Sequence, residues 1–98
     1  MTDLTVLSPD ELKEALLDLP GWQLEENHLV RTFGFGSFRE AISFIVRAGF
    51  EAEVMNHHPE FTNLYNRVRI SLTTHDAGDR ITRADVRLAR RIADFSWV

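Results

Sequence analysis

Hydrophobic residues recur along the chain with two periods, and the changes of period divide it into seven predicted elements. Spacings of three and four residues predict helices over residues 9–19, 38–56 and 83–95. The segments between them predict four strands, at residues 22–25, 29–35, 61–66 and 67–74. The order α-β-β-α-β-β-α predicts a two-layer α+β fold, in which a four-stranded antiparallel sheet carries three helices on one face.

Each predicted helix begins with a residue that can cap it. The capping pairs, three positions apart, are Ser8 with Glu11, Ser37 with Glu40, and Thr82 with Asp85. Asp85 can act as a helix cap alone. It also stands three residues before Leu88, an apolar position of the last helix, and this spacing directs its side chain toward the sheet.

The fourth strand and the second helix show the clearest burial patterns. In the strand, the predicted inward residues are Val68, Ile70 and Leu72, and the outward ones are Arg67, Arg69, Ser71 and Thr73. The helix has a first apolar stripe of Phe38, Ala41, Ile42, Ile45, Ala48, Ala52 and Met55, and a second of Val46, Phe50 and Val54. A surface helix needs one apolar stripe, so the second predicts contact with another copy of the chain. The aromatic residues expected in the core are Phe33, Phe35, Phe38, Phe44 and Phe50.

The composition is typical of one globular domain over residues 1–98, with 44% hydrophobic and 27% charged residues. The absence of cysteine excludes disulfides, thiolate nucleophiles and cysteine-ligated zinc, and it fits a reducing compartment. The N-terminal residues show no basic segment followed by an apolar one, so we expect a cytoplasmic protein without a secretory signal. No apolar run approaches the roughly 20 residues of a membrane span. The net charge of −4 argues against nucleic-acid binding, so we expect neither a membrane nor a nucleic-acid partner.

Three of the four histidines lie in loops that follow predicted buried elements. His57 and His58 precede Pro59 at the end of the second helix, and His75 follows the fourth strand. Histidine exchanges protons near neutral pH, so a cluster of imidazoles supplies the acid and the base that addition or elimination of water requires. Three imidazoles also match a zinc site, and a histidine at the end of an element is often only a cap or a surface residue. The residue types leave these alternatives open.

A longer spaced pattern surrounds these histidines. Its parts are Glu53, His57-His58-Pro59, Asn63-Leu64-Tyr65-Asn66, Leu72-Thr73-Thr74-His75-Asp76 and Asp85. This pattern resembles the pterin-4a-carbinolamine dehydratase family. The resemblance implies an enzyme that removes water from 4a-hydroxytetrahydropterin and gives a quinonoid dihydropterin, in tetrahydrobiopterin recycling. It also implies that the enzyme needs no metal or organic cofactor and forms a homodimer or homotetramer.

The resemblance also implies roles for individual residues. The catalytic residues are His57, His58 and His75, of which His58 and His75 are expected to be the acid–base partners while His57 positions the ring. The expected substrate-binding positions are Glu53, Asn56, Pro59, Thr73, Thr74, Asp76 and Asp85, with Glu53 and Asp85 orienting imidazoles. The chain departs from the family pattern at Phe61, where the family commonly has tryptophan. It also departs at Gly78-Asp79-Arg80-Ile81, where a glycine-rich turn is common, so we expect a different rim of the site.

Two further interpretations remain beside this one. A protein of the same fold that had lost turnover would be a non-catalytic pterin-binding or transcriptional coactivator module. Five arginines also lie on or just before the last helix, and they predict either a solvated face or a docking patch for nucleic acid or protein. They are Arg80, Arg83, Arg87, Arg90 and Arg91.

Overall fold

The computed structural model describes residues 3–98, and its elements follow the predicted order. The helices are α1 (Pro9–Leu17), α2 (Phe38–Val54) and α3 (Arg83–Phe95). The strands are β1 (Gln23–Glu25), β2 (His28–Gly34), β3 (Glu60–Leu64) and β4 (Arg67–Leu72), and a single 3₁₀ turn at His75–Ala77 follows β4. The predicted α+β class is confirmed, and the ends of the elements differ from prediction by at most two residues.

The four strands form one antiparallel sheet in the order β1-β2-β4-β3. β4 lies between β2 and β3, so both of its edges are hydrogen-bonded. Its last residue, Leu72, is paired with Leu29 near the start of β2. The chain that leaves β4 therefore emerges beside the turn between β1 and β2.

The inward face of β4 is buried as the alternation predicted. Val68, Ile70 and Leu72 are each 0% exposed and belong to the same core as α2 and α3. The prediction for the other face is wrong at its far end, because Ser71 and Thr73 are also buried. The β1–β2 hairpin supplies the reason. The hydroxyl of Ser71 bonds Nδ1 of His28, on β2, over 2.9 Å, and that of Thr73 donates to the carbonyl of Asn27 in the hairpin turn over 2.8 Å.

α2 buries a narrower strip than its first apolar stripe predicted. The buried residues are Ala41, Phe44, Ala48 and Ala52. Phe38 and Ile42 lie at the border of this strip and are 48% and 38% exposed. The second stripe, Val46, Phe50 and Val54, faces outward. The expectation that Phe38 and Phe50 are core residues is therefore wrong, whereas Phe33, Phe35 and Phe44 are buried as expected.

The caps at both ends of the chain form as predicted. Ser8 and Glu11 make a capping box at α1, and Thr82 and Asp85 make one at α3. α3 directs Leu88, Ala89 and Ile92 into the core. The polarity pattern of α3 thus brings its first turn, including Asp85, against the ends of α2 and β4.

Candidate functional site

The end of α2 places the histidine pair. Asn56 has a φ of 51°, in the left-handed region that asparagine tolerates better than most residues. Its N–H donates to the carbonyl of Glu53 over 3.0 Å, and the N–H of His57 donates to the carbonyl of Ala52 over 3.0 Å. These two bonds are those of a Schellman motif. The reversal of the backbone at Asn56 turns His57 back under the helix, where it is buried.

His57 contacts a buried carboxylate. Its Nε2 lies 2.5 Å from Oδ1 of Asp85, which is 0% exposed. The other oxygen, Oδ2, accepts from the hydroxyl of Thr74 and from the backbone N–H of Thr82, each over 2.8 Å. The hydroxyls of Thr74 and Thr82 are themselves 2.8 Å apart. Both carboxylate oxygens thus have partners, as buried polar groups require.

The proton directions in this group follow from the acceptor. A carboxylate only accepts, so neutral His57 carries its proton on Nε2 and leaves Nδ1 as an acceptor. The single hydroxyl proton of Thr74 goes to Asp85, and the hydroxyl of Thr82 must then donate to Thr74. A continuous chain of hydrogen bonds therefore links the start of α3 to the ring of His57.

The other two histidines are also paired with carboxylates, but at the surface. Nε2 of His58 lies 2.8 Å from Oε1 of Glu53, and these side chains are 64% and 73% exposed. Nδ1 of His75 lies 2.6 Å from Oδ1 of Asp79, with side chains 80% and 65% exposed. Each of the three histidines thus has one ring nitrogen on a carboxylate. The remaining nitrogens are Nδ1 of His57, Nδ1 of His58 and Nε2 of His75.

The chain of hydrogen bonds connects the two loops that carry these histidines. Thr74 immediately precedes His75 and bonds Asp85, which in turn bonds His57. His58 follows His57 directly. The end of β4 and the end of α2 are therefore joined through the first turn of α3. Hydrogen bonds thus link the loop of His57 and His58 to the residue that precedes His75.

The remaining predicted site residues have different surroundings. Asn56 and Asp76 are exposed, and Pro59 is half-buried, so all three accompany the histidine loops at the surface. Thr73 is buried, and its hydroxyl donates to the backbone of Asn27 rather than toward a histidine. Thr73 is therefore engaged by the hairpin turn.

Two further residues contact this group, and the sequence gives little sign of either. The spacing of Thr82 and Asp85 predicts Thr82 only as a cap, and the bond of Thr82 to the Thr74 hydroxyl spans eight residues. Asp79 stands out in the sequence only as part of a loop that departs from the family pattern. Its spacing of four residues from His75 was the available signal, but that spacing implies a contact only if the backbone turns, as it does at Asp79 with a φ of 57°.

Most of the arginines near α3 contact groups of the same chain. The salt bridges join Arg83 to Asp3 and Glu11, Arg90 to Asp18, and Arg91 to Glu51, while Arg80 donates to the carbonyl of Ala77. Hydrogen bonds from Arg47 and Arg91 hold the pKa of Glu51 below its usual value. Acidic groups of the same chain thus pair with Arg83, Arg90 and Arg91.

Two features of residues 3–98 bear on the other partner classes. No helix in that range is long and apolar enough to cross a membrane. No three His, Asp or Glu side chains there are arranged to hold a metal ion.

Comparison with known proteins identifies the family. The sequence profile of the pterin 4 alpha carbinolamine dehydratase family matches residues 5–95. The chain belongs to this family. It is therefore placed among hydro-lyases, which confirms the enzyme class expected from the spaced histidine pattern.

Individual relatives cover nearly the whole chain. A protein of Opitutus terrae is 53% identical over 94 residues, which are 96% of this chain and 97% of that protein. One of Prochlorococcus marinus is 45% identical over 90 residues, or 92% and 93% of the two chains. Both are named, provisionally, as pterin-4-alpha-carbinolamine dehydratases.

A solved structure shares the fold. The crystal structure of a transcriptional coactivator/pterin dehydratase from Brucella melitensis has a TM-score of 0.86 and 37% identity to this chain. The match covers 92% of this chain and 97% of that one. The four-stranded sheet with three helices is thus the architecture of a solved relative as well.

Proposed function

We propose that the protein removes water from 4a-hydroxytetrahydropterin and gives a quinonoid dihydropterin, in tetrahydrobiopterin recycling. Family membership supports the reaction class. The observation that carries the proposal is that His57, His58 and His75 each contact a carboxylate through one ring nitrogen. Each pairing leaves one ring nitrogen without a carboxylate, and at the exposed His58 and His75 that nitrogen is available to exchange a proton with a small-molecule pterin.

In the proposed reaction one histidine acts as acid and another as base. The imidazolium protonates the 4a-hydroxyl, the bond from C4a to oxygen breaks, and water departs. A neutral imidazole accepts the proton from N5, and the C=N bond of the quinonoid product forms. The enzyme donates one proton and receives one, so neither an electron nor a cofactor enters the balance.

We assign the acid and base to His58 and His75, and the positioning of the ring to His57. The exposure of His58 and His75 supports this division, because their free nitrogens are accessible to a substrate. His57 has a side chain only 9% exposed and is held by buried Asp85, which suits a fixed wall of the site. Each positioned proton transfer contributes about 10²–10⁴ in rate.

The acids and loop residues complete the proposed substrate site. Glu53 and Asp85 orient His58 and His57, and this assignment rests on the contacts described above. Thr74 acts through Asp85. The other proposed substrate-binding residues are Asn56, Pro59, Thr73 and Asp76.

The test follows the decay of substrate in the presence of the protein. An aromatic amino acid hydroxylase generates 4a-hydroxytetrahydropterin in situ, and absorbance reports its dehydration. We expect wild type to accelerate the decay. In His75→Ala the catalysed rate should fall by about 10²–10⁴-fold while the circular dichroism spectrum stays unchanged. A wild-type rate equal to the spontaneous rate would refute the dehydratase proposal.

We further propose that the protein is a homodimer or homotetramer that acts in the cytoplasm. The support for assembly is the outer face of α2, where apolar side chains recur every four residues and remain exposed. These residues are Phe38, Ile42, Val46, Phe50 and Val54. Sedimentation equilibrium should give a multiple of the chain mass for wild type and a smaller species for Phe50→Glu. A monomeric wild type would contradict the assembly.

The alternative is a non-catalytic pterin-binding or coactivator module of the same fold. The solved relative from Brucella melitensis is described as a transcriptional coactivator as well as a pterin dehydratase, and the exposed face of α2 could receive a partner protein instead of a second copy. This alternative predicts saturable binding of a pterin by wild type without any change in the rate of dehydration.

A further inference from the structure

The loop between β4 and α3 contains a carboxylate that no part of the family pattern accounts for. Asp79 lies in the segment where the chain departs from the family's glycine-rich turn, and its Oδ1 is 2.6 Å from Nδ1 of His75. We propose that Asp79 is a positioning residue for His75 in the dehydration reaction. The inference rests on the proposed function, because it assigns a role within that reaction.

The backbone of the loop is shaped to make this contact. Asp79 has a φ of 57°, a conformation that costs an L-residue with a side chain more than it costs glycine. The Asp79 N–H donates to the carbonyl of Thr74 over 3.1 Å, and the N–H of Thr74 donates to the carbonyl of Arg80 over 3.0 Å. These bonds close the loop on the end of β4 and bring the carboxylate back to His75.

The contact determines the tautomer of the imidazole. An ionised carboxylate only accepts, so neutral His75 places its proton on Nδ1 and leaves Nε2 free. The pair is largely exposed, and exposed ion pairs contribute little to stability. The effect of Asp79 should therefore be seen in the reaction and not in folding.

The other two histidines show the same arrangement. Glu53 holds His58 and Asp85 holds His57, each through one ring nitrogen. Without Asp79, His75 would be the one member of the three whose ring has no carboxylate. Asp79 therefore completes a set in which all three imidazoles are oriented in the same chemical way.

The first variant is Asp79→Gly, because glycine adopts the same backbone conformation without strain. We expect kcat for dehydration to fall about tenfold, a fraction of what a positioned proton transfer contributes, while KM changes less than about twofold. The thermal midpoint should stay the same or rise. Glu26→Gly is the matched control, since Glu26 is also an exposed acid with positive φ (53°), in the β1–β2 turn, and it should leave kcat unchanged.

The second measurement detects the tautomer directly. Nitrogen-15 NMR of the His75 ring should show the proton on Nδ1 in wild type and a shift toward the Nε2-protonated tautomer in Asp79→Gly. Asp79→Asn keeps an acceptor oxygen and loses the charge. It should therefore keep most of the wild-type tautomer and have a kcat between those of wild type and Asp79→Gly.

The outcomes separate this inference from the function on which it rests. If wild type does not accelerate dehydration, the proposed function fails, and the role of Asp79 in it fails as well. If wild type is active but Asp79→Gly has the wild-type kcat or an unchanged His75 tautomer, only the role of Asp79 is overturned. Equal losses of kcat in Asp79→Gly and Glu26→Gly would likewise overturn it.

Discussion

A capping box begins both α1 and α3, but the two boxes lie in different environments. Ser8 and Glu11 bond reciprocally at α1, with the Ser8 N–H 2.9 Å from Oε1 of Glu11. Thr82 and Asp85 do so at α3, with the Thr82 N–H 2.8 Å from Oδ2 of Asp85. In each box, one carboxylate oxygen serves the start of the helix. The environment of the second oxygen distinguishes them.

At α1 the second oxygen of Glu11 faces the exposed guanidinium of Arg83 over 3.4 Å, and both side chains are exposed. At α3 the second oxygen of Asp85 is buried and contacts His57. Water can replace the partner of Glu11, whereas Asp85 is 0% exposed, so water does not reach its carboxylate. A capping signature in the sequence therefore does not show whether its acid is only a helix cap or also contacts a ring of the candidate site.

The largest effect is expected when the capping box at α3, which is buried, loses its carboxylate. Asp85→Ala removes the acceptor of three donors, and each buried donor left without a partner costs about 1–3 kcal/mol. The free energy of unfolding should therefore fall by several kcal/mol. Urea denaturation followed by circular dichroism at fixed protein concentration measures the free energy of unfolding. Glu11→Ala is the matched control and should change it far less. Equal losses in the two variants would contradict the distinction between the boxes.

A smaller effect is expected from the hydroxyl that supports Asp85. Thr74→Val keeps the shape of the side chain and removes one donor to Oδ2, so the free energy of unfolding should fall by about 1–3 kcal/mol. Thr32→Val, at an exposed position on β2, is the control. The same denaturation experiment applies. A loss no greater than that of the control would mean that the Thr74 hydroxyl does not help to satisfy the buried carboxylate.

The smallest effect on stability is expected at the exposed capping box of α1, and it depends on pH. The hydrogen bonds from the backbone and side chain of Ser8 lower the pKa of Glu11 from its ordinary value of 4.5. Because the pKa is lower in the folded state, the ionised group stabilises the fold above about pH 4.5, and this contribution disappears as the pH falls through the folded pKa.

Glu11→Gln removes this titration and keeps the size of the side chain. The thermal midpoint of wild type should exceed that of Glu11→Gln at pH 7, and the difference should shrink below about pH 4.5. Thermal denaturation at a series of pH values measures it. A difference that stays constant from pH 7 to pH 3 would show that the ionised carboxylate is not responsible.

Much of the fold could be predicted because its signals are local. The period of the apolar residues in β4 and α3 depends on neighbours two to four positions apart, and both elements formed where expected. α2 shows the limit of this reasoning. Phe44 and Phe50 are both phenylalanines of this helix, and residue type does not distinguish them. The positions of the sheet and of α3 against the helix determine that Phe44 is buried and Phe50 exposed.

The candidate site divides in the same way. Residue type and spacing alone predict that His57, His58 and His75 lie in loops and that an acid caps α3, and they carry the family pattern. The burial of Asp85 against His57, 28 residues away, and the bond of Thr74 to its other oxygen arise from the folded arrangement. The pairing of His75 with Asp79 also required a folded loop with a left-handed residue. Hydrogen-bonded pairs of this kind depend on the packing of α2, β4 and α3 together, and no pattern within one element specifies that packing.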